Sequence, residues 1–248
     1  MSEKSNAVAI PTAAQIMNYN ATPETVPEKA GGGIPYIGHY GAKTNRETSA
    51  RLDAAGIELY EFYLNDGLEP LKVKPFSMHL LSLGRFYTKQ DQEQNLTAVK
   101  LKSDDATFKD GFREHLYVLA AVRLGGGVYV PAVGTFRGGL ADAFRKADEL
   151  VKIAGNDKAW SVRSPAHAAS VIPGGKQHPG ARVILNIWAD SEKTQDGKND
   201  FNMGYGSTRP TPSDEAVLFQ QWFESQMPSI QRVAGIFAQR VEEARKLV

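Results

Sequence analysis

The apolar and polar positions of this 248-residue chain fall mainly into period-two runs, with two stretches of helical period. The first run is "IPYIGHYGAK", 34–43, in which Ile34, Tyr36, His39 and Tyr40 sit in a short strand ended by glycine. In "GIELYEFYLN", 56–65, Ile57, Leu59, Glu61 and Tyr63 alternate with Glu58, Tyr60, Phe62 and Leu64. A third run, 71–89, sets Lys72, Lys74 and Phe76 against Leu71, Val73 and Pro75, and its interior proline marks an edge or a bend. The alternation predicts that Phe76 shares a wet, exposed face with the two lysines. "EHLYVLAAVRL", 114–124, and "VYVPAVGTF", 128–136, flank a glycine triplet and predict an extended hairpin.

Helical spacing takes over at Leu140, Ala143, Phe144, Ala147, Leu150, Val151 and Ala154, with Gly155-Asn156 as the stop. Strands are predicted at 166–172 and 181–190, followed by a polar loop over 191–210. Thr211 then reads as an N-cap with Pro212 at the first helical position, and Pro228 breaks or kinks the helix that follows. The predicted class is mainly β (α+β). Its order is that of an OB-like Greek-key barrel with an extended hairpin, one helix between the third and fourth strand regions, and C-terminal helices. Residues 1–33, rich in proline, small polar residues and glycine, read as a flexible arm. The division expected is 1–33 arm, 34–190 barrel, 191–210 loop and 211–248 helical segment.

Composition narrows the possible chemistry. The chain has no cysteine, so disulfides, thiolate zinc sites and thiol nucleophiles are excluded, and a cytoplasmic location is expected. Neither a membrane span nor a secretion signal is read from the apolar runs. The net charge is +1, but residues 111–190 hold 10 basic and 6 acidic groups while each other segment is at −1. That middle segment is the one suited to a polyanion.

No catalytic, metal or cofactor set emerges. "GTFRGGLA", 134–141, lacks the lysine and hydroxyl of a phosphate-binding P-loop, and its glycine spacing misses the dinucleotide fingerprint. Gly138-Gly139 opens a helix beside Arg137, a corner suited to holding a phosphate through free N–H groups. The five histidines fall at no metal spacing. The acidic loop 190–200 fails the calcium order, and no nucleophile elbow occurs. An enzyme is not expected.

Aromatic side chains interleaved with basic ones are the distinctive pattern. Tyr36, His39, Tyr40 and Lys43 lie on the first run, and Lys72, Lys74, Phe76, Arg85 and Tyr87 on the third. Arg123 and Arg137 belong to the hairpin, and Arg182 and Trp188 to the last strand. Flat rings stack on unpaired bases for about 1–3 kcal/mol each while cations follow the phosphates, so these are the candidate nucleic-acid-binding residues. Aromatics are also common in strand cores, the competing reading for each of them.

In the order running from "IPYIGHYG" through "GTFRGGLADAF" to "ARVILNIWAD", residues 34–190, the chain resembles the OB-fold single-stranded DNA-binding proteins of bacteriophages and mobile elements. The likeness is architectural, without a diagnostic motif. It implies a coat on exposed single strands during replication or recombination, usually as an oligomer; binding without a metal or nucleotide cofactor is expected, with RNA kept as the alternative ligand. Many members end in an acidic, partner-recruiting tail; this chain ends "VEEARKLV", which points residues 211–248 toward self-association instead. The other reading kept open is a phage structural or accessory protein acting only through protein contacts.

Overall fold

The computed structural model describes residues 35–42, 44–65, 69–90, 96–100, 109–125, 127–156, 179–193 and 200–246. The predicted arm, Lys43 and the strand at 166–172 lie outside them. The protein is mainly β. Nine strands are described: β1 (Tyr36–His39), β2 (Phe62–Asn65), β3 (Pro70–Lys72), β4 (Ser77–Gln90), β5 (Leu96–Lys100), β6 (Arg113–Gly125), β7 (Val128–Phe136), β8 (Val183–Lys193) and β9 (Asp200–Pro210). They form one sheet in the order β3-β2-β1-β7-β6-β4-β8-β9, with β5 on the outer part of β4. The sheet curls into a half-barrel. Among the described residues three α-helices accompany it: α1 (Arg46–Ala54), α2 (Gly138–Asn156) and α3 (Ser213–Lys246). No described helix is long and apolar enough to cross a membrane.

The centre of the sheet follows from the sequence of β6. Its run "LYVLAAV" is apolar at both parities, as a strand covered on both faces must be. Leu116, Val118, Ala120 and Val122 face one core with Val130, Ala132 and Phe136 of β7, and α2 closes it with Leu140, Phe144, Ala147 and Val151. Leu119, Ala121, Tyr129 and Val133 face the other, closed by Phe219, Phe223 and Ile230 of α3. A bulge between Leu80 and Ser82 shifts the alternation of β4: Leu81 stays on the α3 side with His79, and Leu83 beyond the bulge joins the α2 side. The hairpin forms as expected, with Gly125 (φ 99) and Gly127 (φ 77) supplying the left-handed turn conformations.

Several elements depart from the sequence reading. The strand expected over 56–65 is confined to β2, after a turn at 55–60. The polar segment 44–55 contains α1, capped by the Asn45 side chain on the Thr48 N–H at 2.9 Å. The polar loop expected at 191–210 is largely strand: β8 runs to Lys193 and β9 pairs with it along its length. α3 continues through Pro228 as one helix of 34 residues. Pro228 and Glu224, whose carbonyl loses its intrahelical donor, both lie on the exposed side, where that carbonyl is open to solvent. Thr211 is buried and its hydroxyl finds no partner among the described residues, so it does not cap α3.

α2 lies close on β9 because that strand turns glycines toward it. A Cβ on Gly204 would stand 2.5 Å from the Ala143 Cβ, and one on Gly206 3.2 Å from the Ala147 Cβ. Gly204→Ala is therefore expected to push α2 off the sheet and cost about 1–3 kcal/mol, the usual penalty of overpacking. A urea midpoint equal to that of the wild type would contradict this contact.

Candidate nucleic-acid interface

Twelve of the thirteen candidate residues separate into four surroundings; the thirteenth, Lys43, lies outside the described residues. At the β2–β3 edge, Lys72 Nζ donates to the Gly56 carbonyl at 2.7 Å and lies 2.9 Å from Glu61 and 3.3 Å from Glu58. Lys74 Nζ is 2.8 Å from Glu61. Burial pushes the Glu61 carboxyl up, but the Glu58 N–H and the two ammonium groups outweigh it and bring its pKa to about 2. These lysines are held by carboxylates.

The second set is buried or half-buried, apart from Tyr36, which is 39% exposed. Phe76 is 5% exposed and packs on Phe62 at 5.7 Å, so the expectation of an exposed Phe76 is overturned. Strand pairing stops at Lys72 and restarts at Ser77, and the turn at 73–76 does not carry the alternation across Pro75. Tyr40 closes a small core with Leu52 and Ile57, and Tyr87 is likewise interior. His39 is half-buried against Phe62, and Tyr36 is tied by its hydroxyl to the Thr135 carbonyl at 3.3 Å.

The third set binds helices to the sheet. Arg182 Nη1 donates to the Gly155 carbonyl at 3.1 Å in the last turn of α2. Arg123 forms a two-pronged pair with Glu215 in the first turn of α3, and the Tyr129 hydroxyl donates to the same carboxylate at 2.9 Å. Burial raises the Glu215 carboxyl, and Arg123 and Tyr129 outweigh it to give a net lowering.

Two places remain open to a ligand. On β8, Trp188 is 45% exposed and faces Tyr205 of β9 in register, with rings 6.0 Å apart and inclined 20°. Arg209 is exposed on the same side of β9, two positions beyond Ser207. Towards the opposite end of the sheet, Arg137 joins Arg113, Glu114, Phe112, Gly138, Ala141, Asp142 and Arg145 around a cleft of about 440 Å³. Arg145 reaches Glu114 at 3.2 Å and pairs with Asp142, and Arg85 lies 3.6 Å from Glu114. Arg113 and Arg137 make no ion pair among the described residues. Beside them His115 donates to or accepts from the Thr88 hydroxyl at 2.8 Å and stacks on Phe86. Burial, then the charges of Arg137 and Arg113, bring its pKa down to about 4.

Comparison with protein-family models, with curated proteins and with solved structures returns no match. The site thus rests on its own geometry. Of the residues gathered at these two places, the sequence pattern singles out Arg85, Arg137 and Trp188 but not Arg113, Arg145 or Tyr205. A signal for Arg113 existed in the hairpin: with Leu116 opposite Phe136, position 137 extends the ladder beside 115 and diagonal to 113. Among the described residues no cluster of three or more metal-ligating side chains occurs.

Proposed function

We propose that this protein binds single-stranded DNA with little sequence preference, in the cytoplasm, during replication or recombination. The observation that carries the reading is the Trp188–Tyr205 pair, two nearly parallel rings of which Trp188 is 45% exposed, with the exposed Arg209 on the same side of the sheet. Stacking on such rings is tolerant of sequence because every base has a flat face, and a cation beside them meets the phosphates. The curled, open-edged sheet supports an OB-like barrel, an architecture that is itself a partly open Greek-key barrel. In this reading residues 211–248 hold the oligomer.

Tryptophan fluorescence titrated with oligothymidylate tests it. Binding at micromolar protein and low salt is expected, with affinity falling as salt rises. Trp188→Ala is expected to weaken binding about tenfold, the loss of roughly one stacked base. Absence of binding under those conditions, or an affinity indifferent to salt, sinks the proposal. A second reading, protein contact alone, rests on Val217 and Leu218, adjacent on α3 and each about half exposed. Light scattering after size exclusion favours it if a defined assembly forms that nucleic acid leaves unchanged.

A further inference from the structure

We propose that the cleft between the start of β6, the end of β7 and the first turn of α2 is a binding site for a phosphate ester. The inference goes beyond the DNA-binding reading and does not depend on it, since it lies in a different part of the sheet from Trp188.

Charge makes the first argument. Arg113, Arg137 and Arg145 line the cleft with Glu114 and Asp142, and Arg85 lies 3.6 Å from Glu114 at its margin, so the group as a whole has an excess of two positive charges. The excess is concentrated on Arg113 and Arg137, which lie just beyond the last β6–β7 pair, both act on His115, and make no ion pair among the described residues. Like charges so placed repel across strands, and an anion between them converts that cost into attraction. A phosphate monoester, with a charge near −2 at neutral pH, matches the excess.

Preorganisation makes the second. Arg145 is fixed from both sides by Glu114 and Asp142, so its guanidinium is already oriented on the cleft wall. α2 begins in the cleft at Gly138, has no acidic residue in its first turn, and adds the positive end of a 19-residue helix. His115, neutral and bonded to Thr88, leaves the arginines as the source of the local field.

Size and lining make the third. A volume of about 440 Å³ exceeds what a bare phosphate needs and leaves room for the organic part of an ester. Phe112 provides an apolar wall, held in place beneath the Lys100 ammonium at 4.7 Å. Guanidinium forks on several sides suit the oxygens of a tetrahedral phosphate better than a planar carboxylate, which one fork satisfies.

The test titrates the full chain with inorganic phosphate, and separately with 5′-phosphorylated and 5′-hydroxyl oligothymidylate, following the backbone amides of Gly138–Leu140 by NMR. Saturable shifts of these amides with millimolar phosphate are expected, weakened at least tenfold in Arg113→Ala/Arg137→Ala and in the single exposed variant Arg137→Glu. Trp188→Ala, by contrast, should leave phosphate binding unchanged even where it weakens DNA binding. Tighter binding of the 5′-phosphorylated strand than of its 5′-hydroxyl counterpart assigns the ester to a strand end. Equal binding of the two strands assigns it to a small phosphate ester or an internal diester. The proposal is overturned if phosphate produces no saturable shift, or if both arginine variants, folded by circular dichroism, bind it as the wild type does. Loss of oligonucleotide binding with phosphate binding intact counts against the DNA reading alone.

Discussion

Phe144→Ala is expected to lower the free energy of unfolding by about 3–5 kcal/mol, a large share of what holds a domain together. Phe144 is fully buried, stacked on Phe136 with centroids 4.4 Å apart and edge-on to Phe62 at 6.1 Å. Phe62 in turn meets Phe136 at 6.0 Å and Phe76 at 5.7 Å, so one ring on α2 joins β7, β2 and the entry to β4. Truncation leaves a void among elements that cannot close on it, because α2 already stands at its limit against Gly204. The measurement is a urea midpoint shift at unchanged m-value. Ile153→Ala, on the outer side of the same helix at 73% exposure, should stay within about 0.5 kcal/mol. A loss below about 1 kcal/mol in Phe144→Ala would mean that α2 and its phenylalanine are not the keystone of this core.

What the chain discloses before folding, and what it hides, differ for physical reasons. The β6–β7 hairpin and α2 are legible because their burial is written in large apolar side chains at regular spacing, with glycines at the turn. β9 is hidden because its buried parity is written in glycines: Gly204 and Gly206 contribute no side chain, so the alternation with Tyr205 and Ser207 looks like polar loop. α1 escapes notice since only Leu52 of its nine residues is buried. Tyr205, half of the aromatic pair, is hidden for the same reason, since it sits on β9 between these glycines.

The arginine cleft was half legible. Arg137 stood out beside the glycines that open α2, whereas Arg113 and Arg145 are separated from it by a hairpin and by two helical turns. Lys72, Lys74 and Arg123 show the converse limit, since cations that look free in a sequence find carboxylates at Glu58, Glu61 and Glu215 once the sheet curls. Spacing identifies which residues share a face. It does not identify which of their charges have been neutralised from another strand.

The second large effect is expected with acid: stability should fall steeply as pH drops from about 6.5 to about 4. His79 of β4 has no exposed surface and is sandwiched between the sheet and α3, 3.8 Å from the Phe219 ring and 5.5 Å from Tyr129. Its Nδ1–H donates to the Gly180 carbonyl at 3.2 Å, and its Nε2 meets no partner among the described residues. Burial brings its pKa to about 4; Gly180 and Glu215 pull it up and Arg123 down. In the unfolded chain the ring titrates near 6.5, so between these values the unfolded state binds the extra proton and gains on the folded one as pH falls. At about 1.4 kcal/mol per pKa unit, His79 alone withdraws roughly 3 kcal/mol by pH 4. His39 and His115, also brought to about 4 chiefly by burial, act in the same direction with a smaller share because they are partly solvated. Below about 4.5 the lowered carboxyls of Glu215 and Glu61 add to the loss as they are protonated, the former releasing Arg123 and with it the start of α3. Urea midpoints from pH 7 to pH 4 read the effect, and His79→Phe, which keeps a ring but cannot take the proton, should flatten the slope. Equal midpoints at pH 7 and pH 4 would show that these imidazoles titrate as freely in the fold as outside it. Since His79 and Glu215 both bear on α3, Trp222, stacked on Phe219 at 5.6 Å, should change its fluorescence within the same pH range.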